Sequence, residues 1–199
     1  MNFLAHIYLS GEDQGVTIGN FIADGIKGKT YKTYPKSIQR GILLHRAIDS
    51  YTDQHPTVRQ STARLHENYG HYSGVIVDIL YDHFLAKNWA DYHKQPLTDY
   101  VDDFYELLSE NFDVLPSRIQ RMMPYMMADN WLLSYATIPG ISTILNQMNQ
   151  RLKRRTQRNT NMNFAVVELE QFYLEFETEF TSFFAELIDY SKNKLIELQ

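Results

Sequence analysis

The chain contains no cysteine, which excludes a disulfide framework, a thiolate metal site and a cysteine nucleophile. Glycine and proline are sparse, 9 and 6 in 199 residues. None of those glycines builds a P-loop, a Gly-rich dinucleotide turn or the elbow of a serine nucleophile. No apolar run approaches the length of a membrane span. Positive charge is not in excess, and a net charge of −5 gives no basis for general nucleic-acid binding. Alternating strand patterns, internal repeats and low-complexity tracts are missing as well. The opening residues, Met1-Asn-Phe-Leu-Ala-His6-Ile-Tyr-Leu-Ser10, lack the basic and long apolar segments of a secretion signal, so a cytoplasmic protein is expected.

What remains is a helical pattern almost throughout. Apolar periodicity with Gly and Pro as stops predicts helices over 2–9, 17–26, 35–53, 57–69, 73–92, 98–111, 119–135 and 141–154. Residues 164–198 form one long helix or two abutting ones. The expected fold is a single all-α domain over 1–199, with a core rich in the chain's 14 Tyr and 11 Phe. Met122, Met123, Met126 and Met127 are expected as core filler.

Chemistry enters where carboxylates interrupt apolar helix faces. Asp78 and Asp82 lie one turn apart and share a stripe with Val75, Leu85 and Trp89. His45, Asp49 and Asp53 recur every four residues along the face of Ile38 and Ile42. A charge facing a core must be paired, hydrogen-bonded or bound to metal. Two such clusters aimed at one interior predict a shared cation; the alternative is that Asp49 orients His45 or pairs with Arg46 or Arg40. Without thiolates the ligands are His, Asp, Glu or backbone oxygen, which favours Mn²⁺ or Mg²⁺ over Zn²⁺ or Fe²⁺. Asn20 and Asp24, also four apart, are weak by themselves, and His6 alone reads as a hydrogen-bonded core histidine. His83 sits at the edge of the apolar arc, and His66, His71 and His93 read as solvated. Arg151, Lys153, Arg154, Arg155 and Arg158 form the one dense basic run, either a solvated surface or a dock for an acidic partner.

Several of these stretches together resemble the acyl carrier protein phosphodiesterase family. They are Met1-Asn-Phe-Leu-Ala-His6, Gly19-Asn20 with Ala23-Asp24, and Gly41 through His45-Arg46 to Ile48-Asp49 with Thr52-Asp53. Asp78, Asp82-His83-Phe84-Leu85 with Trp89, Trp131-Leu132, and Leu145-Asn146 with Met148 and Arg151-Leu152 continue the likeness in order along nearly the whole chain. The resemblance implies an HD-like helical bundle that hydrolyses the phosphodiester joining 4′-phosphopantetheine to a serine of holo-acyl carrier protein, with Mn²⁺ as the expected ion. The adjacent pair here is Asp82-His83, the reverse of the HD signature, so ligands are assigned from helix faces and from the resemblance. The expected ligands are Asp24, His45, Asp49 and Asp82, with Asp78; Asp53 orients a ligand. His83 or His6 is expected as general acid and Arg46 as phosphate clamp. Carrier proteins being acidic, the partner is expected on the Arg151–Arg158 run. The rivals are a nucleotide phosphohydrolase and a helical scaffold of buried ion pairs.

Overall fold

Caps and breakers set most helix boundaries. The computed structural model describes residues 1–157 and 160–199, and among them every regular element is helical. α1 (Phe3–Tyr8) starts at Asn2, whose side chain accepts the Phe3 N–H, and α2 (Gln14–Ile22) at Asp13, which accepts from Val16. α2 therefore begins ahead of the expected residue 17, and at its far end a 3₁₀ turn over Ala23–Gly25 takes over. α3 (Lys36–Gln54) follows Pro35, and α4 (Pro56–Tyr69) opens on a proline, whose missing N–H is no loss there. The segment expected as one helix over 73–92 divides at Asn88 into α5 (Ser73–Lys87) and α6 (Trp89–Tyr92). After α7 (Leu97–Glu110), the segment 119–135 is also two helices, α8 (Ser117–Ala128) and α9 (Trp131–Ser134). Asn130 parts them in the left-handed region, at φ 45°. α10 (Ile138–Thr156) is capped by Thr137, and the C-terminal segment resolves into α11 (Ala165–Gln171) and α12 (Tyr173–Glu197).

α5 is the central helix. Ile76, Val77, Ile79, Leu80, Tyr81, Phe84 and Leu85 are all buried, so it is covered over most of its circumference, with Gly74, Val75 and Asp78 left partly open. Asp78 and Asp82 both face the N-terminal segment, but at different depths: Asp82 is fully buried, while the Asp78 side chain keeps 28% exposure. Aromatic rings fill the interface with α12, where Phe180 and Phe183 meet Tyr81 and Phe180 also stacks on Phe84. Met123 and Met126 are core residues, whereas Met127 is exposed. No described helix is long and apolar enough to cross a membrane.

α2 and α3 cross at a point where neither has a side chain. A Cβ on Gly19 would fall 2.1 Å from the Ile38 carbonyl oxygen, and one on Gly41 2.1 Å from that of Val16. The two glycines let the backbones touch; a methyl group at either would push the helices apart, at roughly 1–3 kcal/mol for an overpacked contact. This crossing sets Asn20 of α2 beside His45 of α3, and α1, packed on α2 and α5, brings His6 to the same place.

Candidate metal centre

Asn20 is fully buried and its side-chain amide is fully committed. Nδ2 donates to the His6 carbonyl oxygen at 2.7 Å and to Ser10 Oγ at 3.0 Å, which leaves Oδ1 to accept from His6 Nδ1 at 2.8 Å. The backbone oxygen of the same residue, one of the last carbonyls of α2, accepts from His45 Nδ1 at 2.8 Å. Both imidazoles therefore carry Nδ1–H and turn Nε2 toward each other's partner. The rings stack with centroids 3.9 Å apart and planes 18° from parallel. His45 Nε2 lies 3.1 Å from Asp49 Oδ2 and 3.3 Å from Asp24 Oδ1, and His6 Nε2 lies 3.2 Å from Asp49 Oδ1.

That arrangement has one proton too few and one partner missing. His6 Nε2 is buried and, although close to Asp49, is not aligned for a hydrogen bond to it. Burial lowers the affinity of both imidazoles for a proton. At His45 the hydrogen bonds to Asp24 and Asp49 outweigh it and the pKa is pushed up to about 9. At His6 burial prevails, aided by the charge on His45, and the pKa is lowered. Burial works against the Asp49 carboxylate, yet its bond to His45 and the charge on that ring hold it well below the usual range; Asp24 is lowered by its bond to His45. A neutral His6 thus points a lone pair at a carboxylate oxygen. Ligand atoms of His6, His45 and Asp49 all lie within 4.8 Å of one another, and no other three His, Asp or Glu side chains among the described residues do so. Such a donor set fits a divalent cation, which would replace the His45 proton and give His6 Nε2 its partner.

The proton on His45 carries a pH dependence. Its folded pKa is raised from 6.5 to about 9, so its contribution to stability is fully present below the lower value and is lost as pH rises through the higher. The melting temperature of the metal-free protein should fall across that interval. Mn²⁺, which competes with the proton, should bind more tightly at the alkaline end and flatten the decline. Calorimetric scans with and without Mn²⁺ check both, and a metal-free melting temperature that is flat over this range would contradict the assigned proton.

An open pocket of about 260 Å³ lies over the cluster, walled by Met1, Asn2, Asp24, Asp53, Val75 and Asp78. Asp78 is thus in the pocket, with Oδ1 2.9 Å from the Met1 amino nitrogen. Asp53 is there too, its carboxyl pushed up by burial and by Asp78 and Asp49. Asp82 lies outside the cluster: its oxygens accept the backbone N–H groups of Leu4 (2.8 Å), Ala5 (3.3 Å) and Asn2 (3.4 Å) at the start of α1. His83 is also elsewhere, with Nδ1 on the Tyr135 carbonyl oxygen at 2.7 Å and Nε2 on the Tyr173 hydroxyl at 2.9 Å, so both ring nitrogens are engaged. Arg46 donates to the Ile26 carbonyl oxygen at 3.0 Å and lies over the Tyr31 ring, which pins the segment after Asp24 instead of facing the pocket. His6, expected as a general acid, instead joins the candidate metal ligands, and Asn20 orients both rings; both roles depend on the α1–α2–α3 contact. Arg151, Lys153, Arg154 and Arg155 are exposed on the last turns of α10, and Arg158 lies outside the described residues. Arg151, Arg154 and Arg155 join Arg118 and Arg121 of α8 around a cleft of about 670 Å³. His66 and His71 are exposed, whereas His93 packs against Trp89 and Tyr100.

Fold and cluster together define an all-α protein with a candidate His–His–Asp metal site. Residues 1–187 match the family described as acyl carrier protein phosphodiesterase, and the chain belongs to that family of hydrolases. It is 30% identical over 195 residues to the acyl carrier protein phosphodiesterase of Pectobacterium atrosepticum, a match covering 98% of this chain and 99% of that one. The enzymes of the same name from Yersinia pestis and Escherichia coli O157:H7 are 29% and 27% identical over 197 residues, each covering 98% of this chain and 100% of the relative. No solved structure matches the chain.

Proposed function

We propose that this protein is a metal-dependent phosphodiester hydrolase that removes 4′-phosphopantetheine from holo-acyl carrier protein in the cytoplasm, giving the apo carrier. The observation that carries this is the convergence of His6 Nε2, His45 Nε2 and the Asp49 carboxylate beneath an open pocket, in a member of this family. His6, His45 and Asp49 hold the ion, Asp24 closes the set, and Mn²⁺ suits the mixed N,O donors, with Mg²⁺ second. When bound, the ion supplies positive charge against the phosphoryl oxygens and acidifies water. Asn20 fixes both imidazole tautomers, and Asp82 holds α1 so that His6 stays in place. Asp53, on the wall of the pocket, hands a proton to the departing serine oxygen.

A scaffold of ion pairs accounts for another buried carboxylate but not for this cluster. Glu179 receives the Arg64 guanidinium through both terminal nitrogens, at 2.8 and 2.7 Å. Asp49 instead receives two imidazoles that compete for one proton. Positive charge for an acidic carrier is available at the α8–α10 cleft, where Arg151, Arg154 and Arg155 were expected to dock it. Lys27, Lys29, Lys32 and Lys36 offer a second surface, exposed and in a stretch from Gly25 to Ile48 without Asp or Glu. That stretch borders the pocket, since Asp24 precedes it and Asp49 follows. Incubation of the Mn²⁺-loaded protein with holo-acyl carrier protein should release phosphopantetheine, and a chelator should stop it. Cleavage of nucleotides with no attack on the carrier would favour the nucleotide reading, and full activity under chelation would remove the metal.

A further inference from the structure

A phosphodiester has two substituents, and a carrier protein can occupy only the outer one. The other can lie along the protein wherever a groove opens from the metal pocket. A groove of about 510 Å³ between α4 and α5 adjoins that pocket and shares two of its walls, Asp53 and Asp78. We propose that this groove is the subsite for the pantetheine arm, a flexible uncharged chain bearing amides; the inference rests on the phosphodiester reading above.

The lining favours such a chain over other substituents. Beyond the shared carboxylates the walls include Val58, Thr62, Ala63 and Gly74, small side chains that leave room for an extended ligand. The Thr62 hydroxyl donates its proton to the Val58 carbonyl oxygen at 2.8 Å, so its oxygen is left to accept from an amide N–H. Arg59 also lines the groove, its Nε donating to the Asp53 carbonyl oxygen at 3.4 Å, and His66 supplies the one ring. The two carboxylates of Asp53 and Asp78 outnumber the single guanidinium of Arg59, which disfavours a second phosphate and leaves a neutral arm unhindered.

Gly74 makes the groove testable. It lies in the first turn of α5, and a Cβ built there meets nothing within 4 Å, so a larger side chain projects into open space. Glycine is also a poor helix residue, so Gly74→Leu should fold at least as well as the parent. The experiment titrates 4′-phosphopantetheine into the Mn²⁺-loaded parent and into Gly74→Leu, with calorimetric readout. It also compares kcat/KM for holo-acyl carrier protein with that for bis(p-nitrophenyl) phosphate, which has no arm. The affinity for phosphopantetheine should fall about tenfold, the size of one lost apolar or polar contact, and the ratio of the two kcat/KM values should fall with it. Equal affinity in the two proteins, or no binding to the parent, overturns the groove. A parent that binds phosphopantetheine more tightly than Gly74→Leu yet never cleaves the carrier keeps the groove and overturns the proposed function alone.

Discussion

Asp49→Ala should lose hydrolysis and metal binding together while keeping its fold. Asp49 supplies an oxygen to each imidazole, 3.1 Å from His45 Nε2 and 3.2 Å from His6 Nε2, and its side chain is 42% exposed. Removing it leaves two stacked rings with no anion between them, and His45, still beside Asp24, can release its proton to remain neutral. The half-exposed position leaves no sealed cavity, so the melting temperature without metal should fall only by the part of the His45 proton's stabilisation that Asp49 supplies. The effect appears when Mn²⁺ is added. At a concentration of 100 Kd the parent should gain about 2.7 kcal/mol of stability; with affinity reduced about 100-fold, the variant should gain only roughly 0.4 kcal/mol. Catalysis should fall by more than the roughly 10–100-fold that follows loss of a residue behind a ligand. Thermal melts across a Mn²⁺ titration, with carrier-protein assays alongside, measure both. An undiminished Mn²⁺-induced rise in melting temperature would sink the assignment of Asp49 as ligand.

How far the site could be read from sequence depends on what helical spacing can and cannot tell. A separation of four puts two side chains on one face of one helix, and for His45 and Asp49 that is enough, since they meet within α3 itself. The same spacing joins Asp78 and Asp82, and both face the N-terminal segment, at different depths: Asp82 is fully buried and Asp78 lies at the pocket wall. Asp78 reaches the Met1 amino group and Asp82 the N–H groups of α1. Which neighbour packs there is a tertiary fact with no periodic signature. His6 and Asn20 show the same limit from the other side: His6 sits in a short apolar helix, and its Nε2 becomes available only because Asn20 Oδ1 takes its Nδ1–H. That contact in turn needs the bare crossing at Gly19 and Gly41. The helices themselves were legible from caps and apolar periods. The errors at Asn88 and Asn130 came from turns that do not interrupt the apolar pattern, since Ala86 and Trp89 are buried on either side of the first and Met126 and Leu132 on either side of the second.

The contrast between the two aspartates yields the largest stability effect. Asp82→Ala should destabilise the fold first and the metal site only as a consequence. The Asp82 carboxylate has no exposure and accepts three backbone N–H groups, from Leu4 at 2.8 Å, Ala5 at 3.3 Å and Asn2 at 3.4 Å. α1 is a single short helix, Phe3–Tyr8, too brief to hold together without tertiary support. Truncation would strand those donors at about 1–3 kcal/mol for each one left unpaired and would leave a cavity, for a loss of roughly 3 kcal/mol or more. Burial pushes the Asp82 carboxyl up to about 7 against the opposing pull of the nearby amino group and the N–H bonds, so its neutral form is accessible near neutral pH. Asp82→Asn, neutral and nearly the same shape, keeps one accepting oxygen and should therefore lose less than the alanine variant. In both, Mn²⁺ affinity should weaken in step with stability, because a loosened α1 carries His6 out of register with His45 and Asp49. Denaturant melts of the metal-free variants, followed by Mn²⁺ titration, separate this from a ligand's role. If Asp82→Ala kept the parent's metal-free stability and lost only the ion, Asp82 would be a ligand and its place beneath α1 would not explain its presence.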